Sequence, residues 1–158
     1  MANQTYGAAP FTVAATSNST GAFTYSVVSG PATISGSTVT LTGTGTVVLQ
    51  ASEAADSNYA AATKTATFTV AKAVLTVTAA NQTIAYGGTV APYTATIAGY
   101  VNGDTSSVVT GTASLTTSTA TPVNAGTYTI TTATGTLAAA NYTFSFVNGT
   151  LTDRKSVV

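Results

Sequence analysis

Thr67-Phe68-Thr69-Val70-Ala71-Lys72-Ala73-Val74-Leu75-Thr76-Val77-Thr78-Ala79 reads as two β-strands set end to end. In the first, Phe68 and Val70 alternate with Thr67 and Thr69. In the second, Leu75 and Val77 alternate with Thr76 and Thr78, so each half has one apolar and one hydroxylated face. Only Ala71-Lys72-Ala73 lies between them, with no Gly, Pro or acidic run. Such a joint is short and stiff, and it places a boundary between two β units. The expected division is a module over 1–72, a second over 73–152, and a tail, 153–158, outside the module pattern.

Composition agrees with a β class and removes several functions. Of 158 residues only 5% are charged and the formal net charge is zero. Lys64, Lys72, Arg154 and Lys155 are the only cations, too few and too scattered to neutralise phosphates, so no nucleic acid is expected as partner. The hydrophobic fraction of 44% is enough to fill small cores, so low charge does not imply disorder. Threonine is the outlier, with 37 residues. Its branched Cβ suits a pleated surface and its hydroxyl keeps the outer face hydrated without charge. The chain has no Cys, which removes disulfides and thiolate metal sites. No run is long enough for a membrane-spanning helix, and Met1-Ala2-Asn3-Gln4 lacks the basic start and apolar core of a signal peptide.

The strongest internal signal is repetition. Ala2-Asn3-Gln4-Thr5 recurs as Ala80-Asn81-Gln82-Thr83. Tyr6-Gly7 recurs as Tyr86-Gly87, Pro10-Phe11 as Pro92-Tyr93, and Asn58-Tyr59 as Asn141-Tyr142. The period is about 80 residues, the size of one small β-sandwich strung in an array.

Strands are expected near residues 11–15, 22–28, 38–42, 46–51 and 65–70, then near 75–78, 94–97, 113–116, 127–131 and 142–147. Gly-, Pro- and Ser-containing punctuation separates them. The Ala-rich stretch around Asp56-Ser57-Asn58 is expected to be a loop. Asn102-Gly103-Asp104 predicts a tight turn, and Asn148-Gly149 predicts a hairpin. The second unit has a whole strand ahead of its Ala-Asn-Gln-Thr, whereas the first has only Met1 there. The first module is therefore expected to lack its opening strand, to expose a sheet edge and to be the less stable half.

Tyr86-Gly87-Gly88, Gly99-Tyr100-Val101-Asn102-Gly103-Asp104-Thr105, Gly126-Thr127-Tyr128-Thr129-Ile130 and Ala140-Asn141-Tyr142-Thr143-Phe144 occur in order and resemble the MBG domain of the YGX type. The resemblance runs from about Ala73 to Thr152. The first module resembles bacterial Ig-like repeats through Phe11-Thr12-Val13-Ala14-Ala15-Thr16, Ser26-Val27-Val28-Ser29-Gly30-Pro31-Ala32 and Asn58-Tyr59-Ala60-Ala61-Ala62. The fold so implied is all-β, two small antiparallel Ig-like β-sandwich modules in tandem. The function implied is a repeat or stalk segment of a bacterial cell-surface or secreted protein, of the adhesin kind. Its partners would be neighbouring repeats of a longer chain, and the alternative is a module that binds a glycan or a host surface protein.

Catalytic chemistry has little to work with. Without His or Cys the common triads are unavailable, and the carboxylates are Glu53, Asp56, Asp104 and Asp153. Glu53 and Asp56 could be proposed as a glycosidase pair or as calcium ligands. Both sit before Asn58, however, where Asp usually bonds its own backbone. No catalytic residue, cofactor or metal is assigned. Tyr59 and Tyr142 are read as plugs at the core edge with hydroxyls bonded to a loop, against the alternative of a sugar-stacking platform. The candidate ligand contacts are Tyr100, Asn102 and Asp104, grouped at the expected turn.

Overall fold

A computed structural model describes residues 1–86, 88–118 and 124–154. The chain divides into two compact units, Met1–Ala73 and Val74–Val158, and among the described residues both are essentially all-β with several sheets, consistent with β-sandwiches.

Unit 1 contains β1 (Gln4–Thr5), β2 (Phe11–Thr12), β3 (Phe23–Ser29), β4 (Ala32–Ser35), β5 (Thr38–Leu41), β6 (Gly45–Glu53) and β7 (Ala62–Ala71). One sheet has the order β1-β7-β6-β3 and the other β2-β5-β4. The alternation in the sequence decides which side chains turn inward: Val39 and Leu41 from β5, Val47 and Leu49 from β6, and Phe68 and Val70 from β7 are all buried. The Phe11 ring meets Phe68 edge-on at 5.9 Å and ties the second sheet to the first. The expected Ala-rich loop is a loop, spanning 54–61 between β6 and β7.

Unit 2 contains β8 (Ala73–Ala79), β9 (Gln82–Ala85), β10 (Ala95–Ala98), a 3-10 turn (Ser106–Val108), β11 (Val109–Thr110), β12 (Ser114–Thr117), β13 (Gly126–Ala133), β14 (Ala138–Ala139), β15 (Tyr142–Val147) and β16 (Gly149–Arg154). Its sheets are β12-β13-β16-β9, β10-β8-β15 and the small pair β11-β14. Ala79, Ile130 and Leu151 form a buried cluster against which Ile84, Tyr93, Leu115 and Tyr128 pack.

The repeated Ala-Asn-Gln-Thr has one structural meaning in both units. It begins a short edge strand that runs parallel to the unit's last strand, Gln4 opposite Val70 in one and Gln82 opposite Leu151 in the other. The Asn before it reaches across: Asn3 Oδ1 accepts the Thr69 N–H at 3.0 Å, and Asn81 Oδ1 accepts the Thr150 N–H at 2.8 Å. Both contacts satisfy a strand amide beyond the end of the short ladder.

Three expectations are corrected. Asn148-Gly149 makes no hairpin, because β15 and β16 belong to different sheets and the chain steps from one to the other there. Asn148 Oδ1 accepts the Thr132 N–H at 2.9 Å, and a Cβ on Gly149 would lie 3.0 Å from the carbonyl oxygens of Ala79 and Ala80. The glycine is needed for close passage past the place where β8 gives way to β9, a second sheet change alongside the first. The strand pattern does not stop at Thr152 either. Asp153 and Arg154 continue β16 in register with Ile84 and Ala85, whereas the rest of the predicted tail lies outside the described residues. Finally, Tyr59 is exposed and does not plug a core edge.

Candidate functional site

The residues singled out in the sequence, Tyr100, Asn102 and Asp104, lie together in the segment after β10. Asp104 donates its N–H to Val101 O at 3.0 Å, closing a four-residue turn. Asn102 (φ 56°) and Gly103 (φ 76°) both occupy the left-handed region, which is what a type I′ turn demands and what Asn-Gly tolerates at least cost.

The turn is built around Tyr142, the first residue of β15, which is 2% exposed. Its hydroxyl donates to Asp104 Oδ2 at 2.6 Å and accepts the Val101 N–H at 3.1 Å. The Tyr100 ring stands edge-on to it, centroids 6.2 Å apart at 73°. A buried phenol thus finds both an acceptor and a donor in one turn, and the turn gains an anchor in the core. Asp104 is held by this contact and half-buried, Tyr100 is half-buried against a ring, and Asn102 is exposed at the tip. The expectation that Tyr142 bonds a neighbouring loop is met here. The identity of the loop, and Val101 as a partner, were not read from the sequence.

Of the carboxylate pair weighed as catalytic or calcium-binding, Asp56 is held by the amides and hydroxyls around it. Asp56 Oδ2 accepts from the Ser19 hydroxyl at 2.9 Å, the Thr20 N–H at 2.8 Å and the Thr20 hydroxyl at 3.0 Å. Its Oδ1 accepts the Asn58 and Tyr59 N–H groups at 2.7 and 2.8 Å. The carboxylate closes its own loop and fastens it to the 17–21 segment, the backbone-bonding role expected for it. The Thr20 and Asn58 amides and the Ser19 hydroxyl hold its carboxyl well below the usual carboxylate range. With donors on both oxygens, it is poorly disposed to accept a metal. Glu53 is buried at the end of β6, with Oε1 lacking a hydrogen-bond partner among the described residues. Among the described residues no group of three or more acidic, His or Cys side chains could hold a metal ion, and no helix is long and apolar enough to cross a membrane.

No curated protein matches the chain. The second unit's locked turn and its parallel edge strand fall within residues 75–152, and those residues match the MBG domain (YGX type), a domain found in bacterial surface proteins.

Proposed function

We propose that the chain is a non-catalytic spacer segment, two Ig-like modules in tandem, from a cell-surface or secreted bacterial protein of the adhesin kind. Its partners on this reading are neighbouring repeats of the same polypeptide. The observation that carries it is the parallel pairing of each unit's short edge strand with its last strand. Tension drawn along the chain pulls such a pair in opposite directions along their length. The hydrogen bonds of the ladder then bear the load together, whereas a hairpin pulled from its open end loses them one at a time. Asn3 and Asn81 add one more bond to each shear-loaded ladder. The absence of His and Cys from the sequence, and the engagement of Asp56 and Asp104 in hydrogen bonds, support a role without catalysis.

Single-molecule pulling between the chain ends tests this. The expected record has two discrete unfolding events, and the Asn81→Ala variant lowers the force of one of them. Gradual extension without discrete events would sink the proposal.

A second reading, an adhesive module for a glycan or host surface protein, is favoured by exposed Asn102 beside half-buried Tyr100 and Asp104. Binding on a glycan or mucin array that disappears with Tyr100→Ala would establish it, and silence on the array would reject it.

A further inference from the structure

The sequence holds two Asn-Gly pairs, Asn102-Gly103 and Asn148-Gly149. An Asn followed by Gly is open to attack on its own side-chain carboxamide by the next backbone nitrogen, because glycine has no Cβ to stand in the way. The reaction requires a carboxamide that can turn and a backbone nitrogen that solvent base can reach. It also requires room for the peptide plane between the two residues to rotate. At Asn148 these are denied. Its Oδ1 accepts the Thr132 N–H at 2.9 Å, which fixes the carboxamide. Gly149 is buried at the start of β16, paired with Ile130. The carbonyl oxygens of Ala79 and Ala80 lie 3.0 Å from the position of its absent Cβ, so the peptide plane has nowhere to turn.

At Asn102 all of them are met. Asn102 and Gly103 are both exposed at the tip of their turn. The bond that closes the turn runs from the Asp104 N–H to Val101 O and leaves the Gly103 N–H outside it. Among the described residues no hydrogen bond holds the Asn102 carboxamide, and nothing lies within 4 Å of a Cβ built on Gly103. The φ of Asn102 is 56°. A positive φ at this position is common to turns of types I′ and II′, which differ by rotation of the peptide plane between the two central residues. That rotation swings the Gly103 nitrogen towards the Asn102 side chain while the closure from Val101 to Asp104 is kept.

We propose that Asn102-Gly103 is a self-modification site, at which the turn that anchors Tyr142 is converted to an aspartyl or isoaspartyl form without an enzyme. The Gly103 nitrogen, its proton lost to solvent base, bonds to Asn102 Cγ. The bond from Cγ to Nδ2 breaks, and the nitrogen takes a proton from water and leaves as ammonia, giving a five-membered cyclic imide. Water then opens the ring. Breaking the bond from nitrogen to Cγ gives aspartate, and breaking the bond from nitrogen to the main-chain carbonyl carbon gives isoaspartate. In sum a carboxamide and water become a carboxylate and ammonium, with no oxidant or reductant. Either product sets a new negative charge two residues from Asp104, whose Oδ2 accepts the Tyr142 hydroxyl at 2.6 Å. Isoaspartate also inserts a methylene into the main chain of a turn closed by four residues, so the bond from Asp104 to Val101 no longer fits and Tyr142 loses its anchor. The turn is thus a slow clock, holding Tyr142 in a new chain and releasing it in an old one. The proposal is independent of whether the chain is a spacer or an adhesive module.

The test uses the full chain, kept folded in mildly alkaline buffer and sampled over weeks by peptide mass mapping. A mass gain of about 1 Da is expected in the peptide that carries 102–103, faster as pH rises. Labelling by an isoaspartyl methyltransferase should identify the isoaspartyl share of it. The peptide that carries 148–149 should gain mass about tenfold more slowly or less, since the Thr132 bond and the packing around Gly149 must open first. In concentrated urea, where neither site is held, the two should react at like rates. Gly103→Ala should slow the first site. Asn102→Asp carries the charge without the imide, and so separates the effect of charge from that of the added methylene. In the aged folded chain the Val101 and Asp104 amide resonances should move. No mass gain at 102–103, or equal rates at both sites in the folded chain, would overturn the proposal. A contrast that persists unchanged in urea would assign it to neighbouring residues in the sequence and overturn the structural account. Isoaspartate formed with the Val101 and Asp104 amides unmoved would overturn the release of Tyr142.

Discussion

Asn81 accepts the Thr150 backbone N–H at 2.8 Å, and Asn3 stands in the same relation to Thr69 at 3.0 Å. Each Asn→Ala removes the acceptor of a strand amide next to a short parallel ladder. We expect a loss of about 1 kcal/mol from the unit concerned, measured by urea unfolding, with little effect on the other. Faster hydrogen exchange at Thr150 in Asn81→Ala, and at Thr69 in Asn3→Ala, would locate the effect. Equal exchange at those amides would refute the shared role.

Tyr142→Phe keeps the ring and removes the hydroxyl that serves both Asp104 and Val101. The expected cost is about 1–3 kcal/mol, since a carboxylate loses its donor and an amide its acceptor. The Val101 and Asp104 amide resonances should move with it. A variant as stable as the parent would show that the lock contributes nothing.

Acid should loosen the 54–61 loop of unit 1. Asp56 is depressed below the ordinary carboxylate range by the N–H and hydroxyl donors around it. Its contribution is therefore fully present above the unfolded carboxylate value of about 3.9 and declines as pH falls below that towards the folded value. Hydrogen exchange at Thr20, Asn58 and Tyr59 should accelerate below about pH 4 in the parent. The Asp56→Asn variant should lack that acid dependence, and a parent whose loop exchange shows no acid component would contradict the assignment.

Gly149→Ala places a Cβ 3.0 Å from two carbonyl oxygens and 3.1 Å from the Ala79 Cβ. The backbone on one side must move, for a loss of about 1–3 kcal/mol in unit 2, readable as a lower thermal midpoint. Gly103→Ala, whose Cβ meets nothing within 4 Å, should lose less and only through its positive φ, which makes it the natural comparison.

Asp153 is 3% exposed, and neither carboxylate oxygen has a hydrogen-bond partner among the described residues. Burying such a group is costly, so Asp153→Val, which fits a strand interior, should raise the stability of unit 2 by about 1–3 kcal/mol. A destabilised variant would mean that the carboxylate has an unseen partner.

Much of this architecture can be read from residue alternation. Phe68 and Val70, then Leu75 and Val77, point inward as their spacing requires, because a period of two leaves no other face to bury. The 102–104 turn was legible for a local reason: Asn-Gly carries its positive φ preference wherever it stands. The same dipeptide at 148–149 misled because the choice between a hairpin and a sheet change depends on what lies beside it, here the carbonyls of Ala79 and Ala80, distant in sequence. β1 and β9 went unpredicted for a similar reason, being short strands held by a parallel partner at the far end of their unit. At the candidate site the grouping of Tyr100, Asn102 and Asp104 was visible, since they are neighbours along the chain. That Asp104 serves Tyr142 was not, because nothing local links them. Tyr59 shows the converse, a repeated Asn-Tyr whose second copy is buried and whose first is exposed.

In unit 2 the sheet change between β8 and β9 lies beside the one between β15 and β16, so the opening pair of strands and the closing pair are each divided between the two sheets. Neither sheet can be completed from the middle of the sequence alone. On a polypeptide that emerges amino end first, β8 and β9 must wait, unpaired with β15 and β16, until almost the last residue of the unit has appeared. Each such unit is thus closed by its own end, and a chain halted before Gly149 would carry an open half-sandwich whose final strand had never arrived.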